Sequence, residues 1–120
     1  MSQLVPHLLL RADGGASHRS TLLRTAGYMV SKVNDDAMAE RIAGSPDVDG
    51  VIVELATLSA IATVRRIEAY RRNAVIVIVS PDAEAVRRAL PSARVVKPED
   101  ADDDLVSTID LALAAQELAH

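Results

Sequence analysis

The sequence predicts an α/β fold: a doubly wound (βα)5 sandwich in which a five-stranded parallel sheet carries helices on both faces. Three observations predict it. Aliphatic runs alternate with segments of helical periodicity about five times along the 120 residues. The third and fourth runs, Gly50 to Leu55 and Ala74 to Val79, are continuously aliphatic, as expected of strands covered on both sides. The connections are short, and short strand–helix–strand crossovers within one sheet give parallel, right-handed units.

Leu4, Val5, Leu8, Leu9 and Leu10 make the first strand, closed by Asp13-Gly14-Gly15 before Ser17 caps the first helix. Leu22, Leu23 and Ala26 give that helix an inward stripe, and Gly27 stands where a left-handed residue ends a helix. Tyr28 to Val33 is the second strand. Asn34-Asp35-Asp36 supply a cap and N-terminal negative charge for a short helix through Ile42, which Gly44-Ser45-Pro46 stops. After the third strand, Leu58, Ile61, Ala62, Val64 and Ile67 recur at helical spacing, with Arg65, Arg66, Arg71 and Arg72 on the wet side. Ser80-Pro81-Asp82 opens the fourth helix, which ends near Leu90-Pro91. Arg94 to Val96 is a short last strand. Lys97-Pro98 then leads into an acidic helix start at Glu99, Asp100, Asp102, Asp103 and Asp104, and Leu105, Ile109, Ala112 and Leu113 form the buried stripe of that helix.

Hydrophobic residues at 49% and charged residues at 25% match ordinary globular usage, so a packed core is expected. Residues 1–120 read as a single domain without a separate output domain, for no linker, repeat or low-complexity tract divides them. Thirteen Lys and Arg against 17 Asp and Glu leave a net charge of −4, which disfavours a nucleic-acid partner. The absence of cysteine excludes disulfides, thiolate zinc sites and cysteine nucleophiles. No apolar run approaches the roughly 20 residues of a membrane span, and no basic segment precedes the first apolar stretch, so no membrane association and a cytoplasmic location are expected. His7, His18 and His120 lack metal-ligand spacing, and Gly14-Gly15 lack the spacing of a phosphate-binding loop. Arg65, Arg66, Arg71, Arg72, Arg87 and Arg88 form either a docking surface for an acidic partner or a solvated helix face. The last helix is apolar on more than one side, with Leu111, Leu113 and Leu118 among alanines, which points to homodimer or partner contact.

Ligand chemistry in such sheets belongs at the carboxyl ends of the strands. That rule directs attention to Arg11, Ala12, Asp13, Glu54, Leu55, Val79, Ser80 and Lys97. Leu22 to Tyr28, Asp49 to Glu54 and the Lys97-Pro98 pair together make the chain resemble, over essentially its whole length, the receiver domain of two-component response regulators, a flavodoxin-like architecture. The resemblance implies that Glu54 stands at the phosphoacceptor position, that Lys97 is the lysine contacting the acyl phosphate, and that Pro98 follows a cis bond. The switch hydroxyl position falls on Val79 by ungapped counting, or on Ser80 if the strand slips by one.

The departures from that family set the functional expectation. A receiver holds Mg²⁺ with an acidic pair after its first strand, because a hard cation requires carboxylate oxygens. Here Leu10, Arg11 and Ala12 fill that region, and Asp13, the one nearby carboxylate and a weak metal candidate, falls late. A fixed cation at Arg11 competes with a metal, so Mg²⁺ binding is expected to be weak or absent and no cofactor is expected. Glu54 projects one methylene farther than aspartate, which spoils in-line attack and sends negative charge toward Lys97. The stretch from Ser80 to Pro98 is several residues shorter than in typical receivers. The resemblance thus implies a degenerate, non-enzymatic pseudo-receiver, with a Glu54···Lys97 pair standing in for the phosphorylated state. Its partner would be a protein such as a histidine kinase or another signalling protein, with homodimerisation through the C-terminal helices. Two alternatives stand beside it: a functional phosphoacceptor in a histidine-kinase phosphorelay, and an anti-sigma-factor-antagonist-like domain, whose opening hairpin a parallel first strand pair would exclude.

Overall fold

In sequence order the chain forms β1 (His7–Arg11), α1 (Ser17–Thr25), β2 (Met29–Val33), α2 (Asp36–Ala43), β3 (Gly50–Glu54), α3 (Ala60–Tyr70), β4 (Val75–Val79), α4 (Ala83–Ala89), β5 (Arg94–Val96), a 3-10 turn (Pro98–Asp100) and α5 (Ala101–Leu118). These elements come from a computed structural model, and the residues it describes are 5–12, 17–54, 60–70 and 75–118. The five strands lie in the order β2-β1-β3-β4-β5, and every neighbouring pair is parallel. The expected doubly wound sheet is therefore present. The parallel β1–β2 pair, with His7 opposite Met29 and Arg11 opposite Val33, excludes the opening hairpin of the anti-sigma-factor-antagonist reading.

Alternation along the strands divides the core in two. Leu8, Leu10, Ile52, Val77 and Val79 face Leu23 of α1 and Leu105, Ile109 and Ala112 of α5. Leu9, Val51, Val53, Ile76 and Ile78 face Ala39 and Ala43 of α2, Val64 and Ile67 of α3, and Val86 of α4. All five residues of β4 are buried, as expected of a strand covered on both sides.

Local chemistry sets the ends of the elements. The Asp35 carboxylate accepts from the Met38 amide at 3.1 Å and Asp82 from the Ala85 amide at 3.3 Å, so both short helices α2 and α4 begin on an aspartate cap. Gly27 adopts φ +103° and turns α1 into β2, which suits a residue without a Cβ. At Gly50 an added Cβ would stand 3.1 Å from a buried Leu8 methyl and 3.4 Å from the Val75 carbonyl, so the glycine lets β1, β3 and β4 close up. β1 starts at His7 and runs through Arg11, one residue past the expected aliphatic run, because Arg11 pairs with Val33 and Val53 on its two sides.

Candidate functional site at the carboxyl edge

Chain order reverses direction across the sheet at β1, which lies between β2 and β3, and the carboxyl ends of β1 and β3 flank the resulting crevice. Four candidate residues gather at this edge. Arg11 ends β1, the buried Ala12 follows it, Glu54 ends β3 and Ser80 follows β4. Asp13 and Leu55 lie outside the described residues.

Two carboxylates among the described residues near the crevice each meet an arginine. The Arg11 Nε donates to Asp36 Oδ1 at 2.8 Å, with Arg11 only 13% exposed. Arg19, in the first turn of α1, donates through Nη1 to Glu54 Oε1, the two side chains being 21% and 18% exposed. A cation in a helix's first turn opposes the helix dipole, and α1 has no acidic residue there, so Glu54 supplies the compensating charge. Partial burial strengthens the pair, because two charges drawn partly out of water are stabilised chiefly by each other.

This arrangement corrects the expected Glu54···Lys97 pair. Among the described residues no ion pair joins them: Lys97 is exposed beyond the three-residue β5, while α1 brings Arg19 directly over the end of β3. The peptide bond before Pro98 is also trans rather than cis, with Lys97 extended at φ −74° and ψ 147° as the chain enters the 3-10 turn. Of the two hydroxyl alternatives, Val79 stands in the strand opposite Glu54 with its side chain in the apolar core. Ser80 is the hydroxyl at the edge; it is 4% exposed, and its Oγ accepts from the Asp82 amide at 3.2 Å.

Arg19 was invisible to motif reading because nothing in Ser17-His18-Arg19 marks a site. The usable signal is topological: in a doubly wound sheet the first turn of the first helix sits over the carboxyl ends of the first and third strands, so a cation there reaches the last residue of the third. The remaining candidates have structural partners. His7 Nε2 lies 2.7 Å from Ser31 Oγ and His18 Nε2 lies 2.9 Å from Asp102 Oδ1, while His120 is outside the described residues. Arg66 pairs with Glu40 at 2.8 Å and Arg65 donates to the Ala89 carbonyl at 3.4 Å, which ties α3 to α2 and α4. Arg87 and Arg88 are exposed, and Arg71 and Arg72 are outside the described residues. Leu113 packs against the core, so among the described residues the outward large apolar side chain of α5 is Leu111, 71% exposed.

These residues fit a divalent cation poorly. Among the described residues no three His, Asp or Glu side chains come together to hold a metal. Arg11 and Ala12 offer no carboxylate oxygens of their own, and one carboxylate oxygen of each of Glu54 and Asp36 already accepts from a guanidinium donor.

No protein-family model matches the sequence, and no curated protein matches it. Solved structures do. A response regulator receiver protein from Sinorhizobium medicae superposes with a TM-score of 0.82 at 20% identity, over 96% of this chain and 99% of the other. The fold is that of a response-regulator receiver domain. A receiver domain protein from Clostridium thermocellum gives a TM-score of 0.83 at 18% identity, over 98% of this chain and 100% of that one. The receiver domain of a sensor histidine kinase from Pseudomonas aeruginosa, solved with a magnesium ion coordinated in its active site cleft, gives 0.78 at 21% identity, over 92% and 99%. Against that receiver fold, the carboxyl edge of this chain presents two arginine–carboxylate pairs. No helix among the described residues is long and apolar enough to cross a membrane.

Proposed function

We propose that this chain is an atypical receiver that works as a phosphorylation-independent, non-enzymatic protein-interaction module in signal transduction. The Arg19–Glu54 pair carries the reading. A carboxylate whose lone pairs accept from a guanidinium is a weak nucleophile, and a glutamate places it one methylene away from the geometry an aspartate gives. Arg11, held by Asp36, puts a second fixed cation beside the place where a receiver holds its metal, which supports a site without Mg²⁺. The pair neutralises Glu54 within its own edge, so the site is locked in one state rather than imitating a phosphorylated one.

The partner in this reading is a signalling protein such as a histidine kinase, reached without phosphotransfer. Homodimerisation through α5 is a further part of it, supported by Leu111 beside the exposed Ala114 and Ala115. Leu111→Glu should then lower the mass seen in light scattering at high concentration, and a monomeric wild type overturns the homodimer.

The deciding experiment exposes the purified chain to acetyl phosphate, or to beryllofluoride, with millimolar Mg²⁺. Intact mass and amide NMR shifts are read at Arg11, Glu54, Ser80 and Lys97. The expected result is an unchanged mass and unchanged shifts. A phosphoryl adduct, or shifts focused on those residues, overturns the proposal and places the chain in a phosphorelay.

A further inference from the structure

A groove lies at the opposite end of the sheet. It encloses about 730 Å³ over the amino ends of β1 and β2 and is walled by α5 on one side and by the segment leaving α2 on the other. Its size suits a bound side-chain cluster or a small ligand. Met29, Ile42, Val48 and Leu113 supply apolar walls, and Met29 is 57% exposed on the edge strand. Val5, also lining the groove, is 49% exposed. Exposed apolar side chains grouped around one concavity mark a binding surface, whereas the same residues scattered singly would not.

The charged groups separate the possible occupants. Asp47 and Asp49 line the groove, both exposed, and among the described residues no Lys or Arg lines it. Asp110, one turn before Leu113 on α5 and outside the groove's lining, accepts from the Tyr28 hydroxyl. Asp49 already accepts from the His7 amide at 2.8 Å, whereas Asp47, exposed at the groove, forms no ion pair among the described residues. A second copy docking here symmetrically would set these aspartates against their own images. Among the described residues the basic helices of a second copy lack the apolar anchors, for none of the exposed large hydrophobic residues Val5, Met29, Met38 and Leu111 lies on α3 or α4.

We propose that this groove docks a basic amphipathic helix of a partner protein, its apolar stripe seated on Val5, Met29, Ile42 and Leu113 and its Lys or Arg residues facing Asp47 and Asp49. Helix-in-groove recognition uses this combination of an apolar floor and a charged rim that selects the partner's sign. The inference rests on the reading of the chain as an interaction module and supplies that module with a surface remote from the carboxyl edge.

The test uses the full chain, without Mg²⁺ or phosphodonor, so its outcome is separate from that of the acetyl phosphate experiment. Two synthetic helical peptides carry the same leucine stripe, one with Lys and Arg on its polar face and one with Glu. In amide NMR titrations the basic peptide should shift Val5, Met29, Ile42 and Leu113, and the acidic peptide should bind at least about ten-fold more weakly. Asp47→Lys, at an exposed position, should weaken the basic peptide by about ten-fold and leave the rest of the spectrum in place. Met29→Glu should weaken both peptides. Equal binding of the two peptides, shifts confined to the Leu111 face or to the carboxyl edge, or an unchanged affinity in Asp47→Lys would each overturn the proposal, as would no binding of the basic peptide at millimolar concentration.

Discussion

Arg19 and Glu54 hold each other where β3 ends, each about one-fifth exposed, and removing either leaves the other's charge partly buried without a counterion. The cost lies below that of a fully buried pair because water still reaches both groups. Arg19→Ala should therefore lower stability by about 1–2 kcal/mol, and Glu54→Gln, which keeps shape and an acceptor, by less. Urea unfolding measures both, and equal, negligible losses would mean that the pair is ornamental. Tyr28 gives a second residue-level expectation. Burial, and then its hydrogen bond to the Asp110 carboxylate and that group's charge, push its phenol well above the ordinary 10.0. Above pH 10 the folded chain holds a proton that the unfolded chain has released, so this contribution to stability is complete below pH 10 and declines as pH rises toward the higher folded value. Thermal melts from pH 9 upward should show that decline, and Tyr28→Phe should flatten it. At this scale the sequence was only half legible. Arg11, Glu54 and Ser80 were read at the correct strand ends, because strand ends follow from aliphatic runs. Their partners were not, because Asp36 and Arg19 arrive from other elements and no local pattern announces a contact made across the fold.

Among the elements, α2 and α4 are short, at eight and seven residues, and each begins on an aspartate side chain that satisfies an otherwise orphaned amide. Helices of two turns derive little from propagation, so their caps matter in proportion. Asp35→Ala should cost about 1 kcal/mol, Asp35→Asn much less, and urea midpoints of the two variants separate lost capping from lost charge. Gly27→Ala, which forces a Cβ into φ +103° where space is open, should cost about 1 kcal/mol through backbone strain alone. These elements were the legible part of the chain. Asp35, Asp82 and Gly27 are local signals, and local signals fix where a helix starts or stops. Lys97-Pro98 was different: its place after β5 was readable, but the trans bond and the exposed lysine depend on how β5, only three residues long, hands the chain to the 3-10 turn.

For the whole molecule the sheet acts as a partition. Ile67 and Ile109 are both fully buried, yet Ile67 lies among the α2, α3 and α4 contacts and Ile109 among those of α1 and α5, with the strands between them. Trimming one methyl group from either leaves a small void that only its own layer can relax into. Ile67→Val and Ile109→Val should each cost about 1 kcal/mol, and the double variant should lose the sum to within about 0.5 kcal/mol, because the two sites share no packing partners. The same variants distinguish a partition from independent halves. All five strands contribute side chains to both layers, β2 through Val30 and Val33 and β5 through Val96 and Val95, so neither layer can dissolve while the sheet persists. A single urea transition with an unchanged slope is therefore expected for all three variants. Two transitions, or a coupling energy well beyond 0.5 kcal/mol, would show that packing on one face is set by the other through the strands.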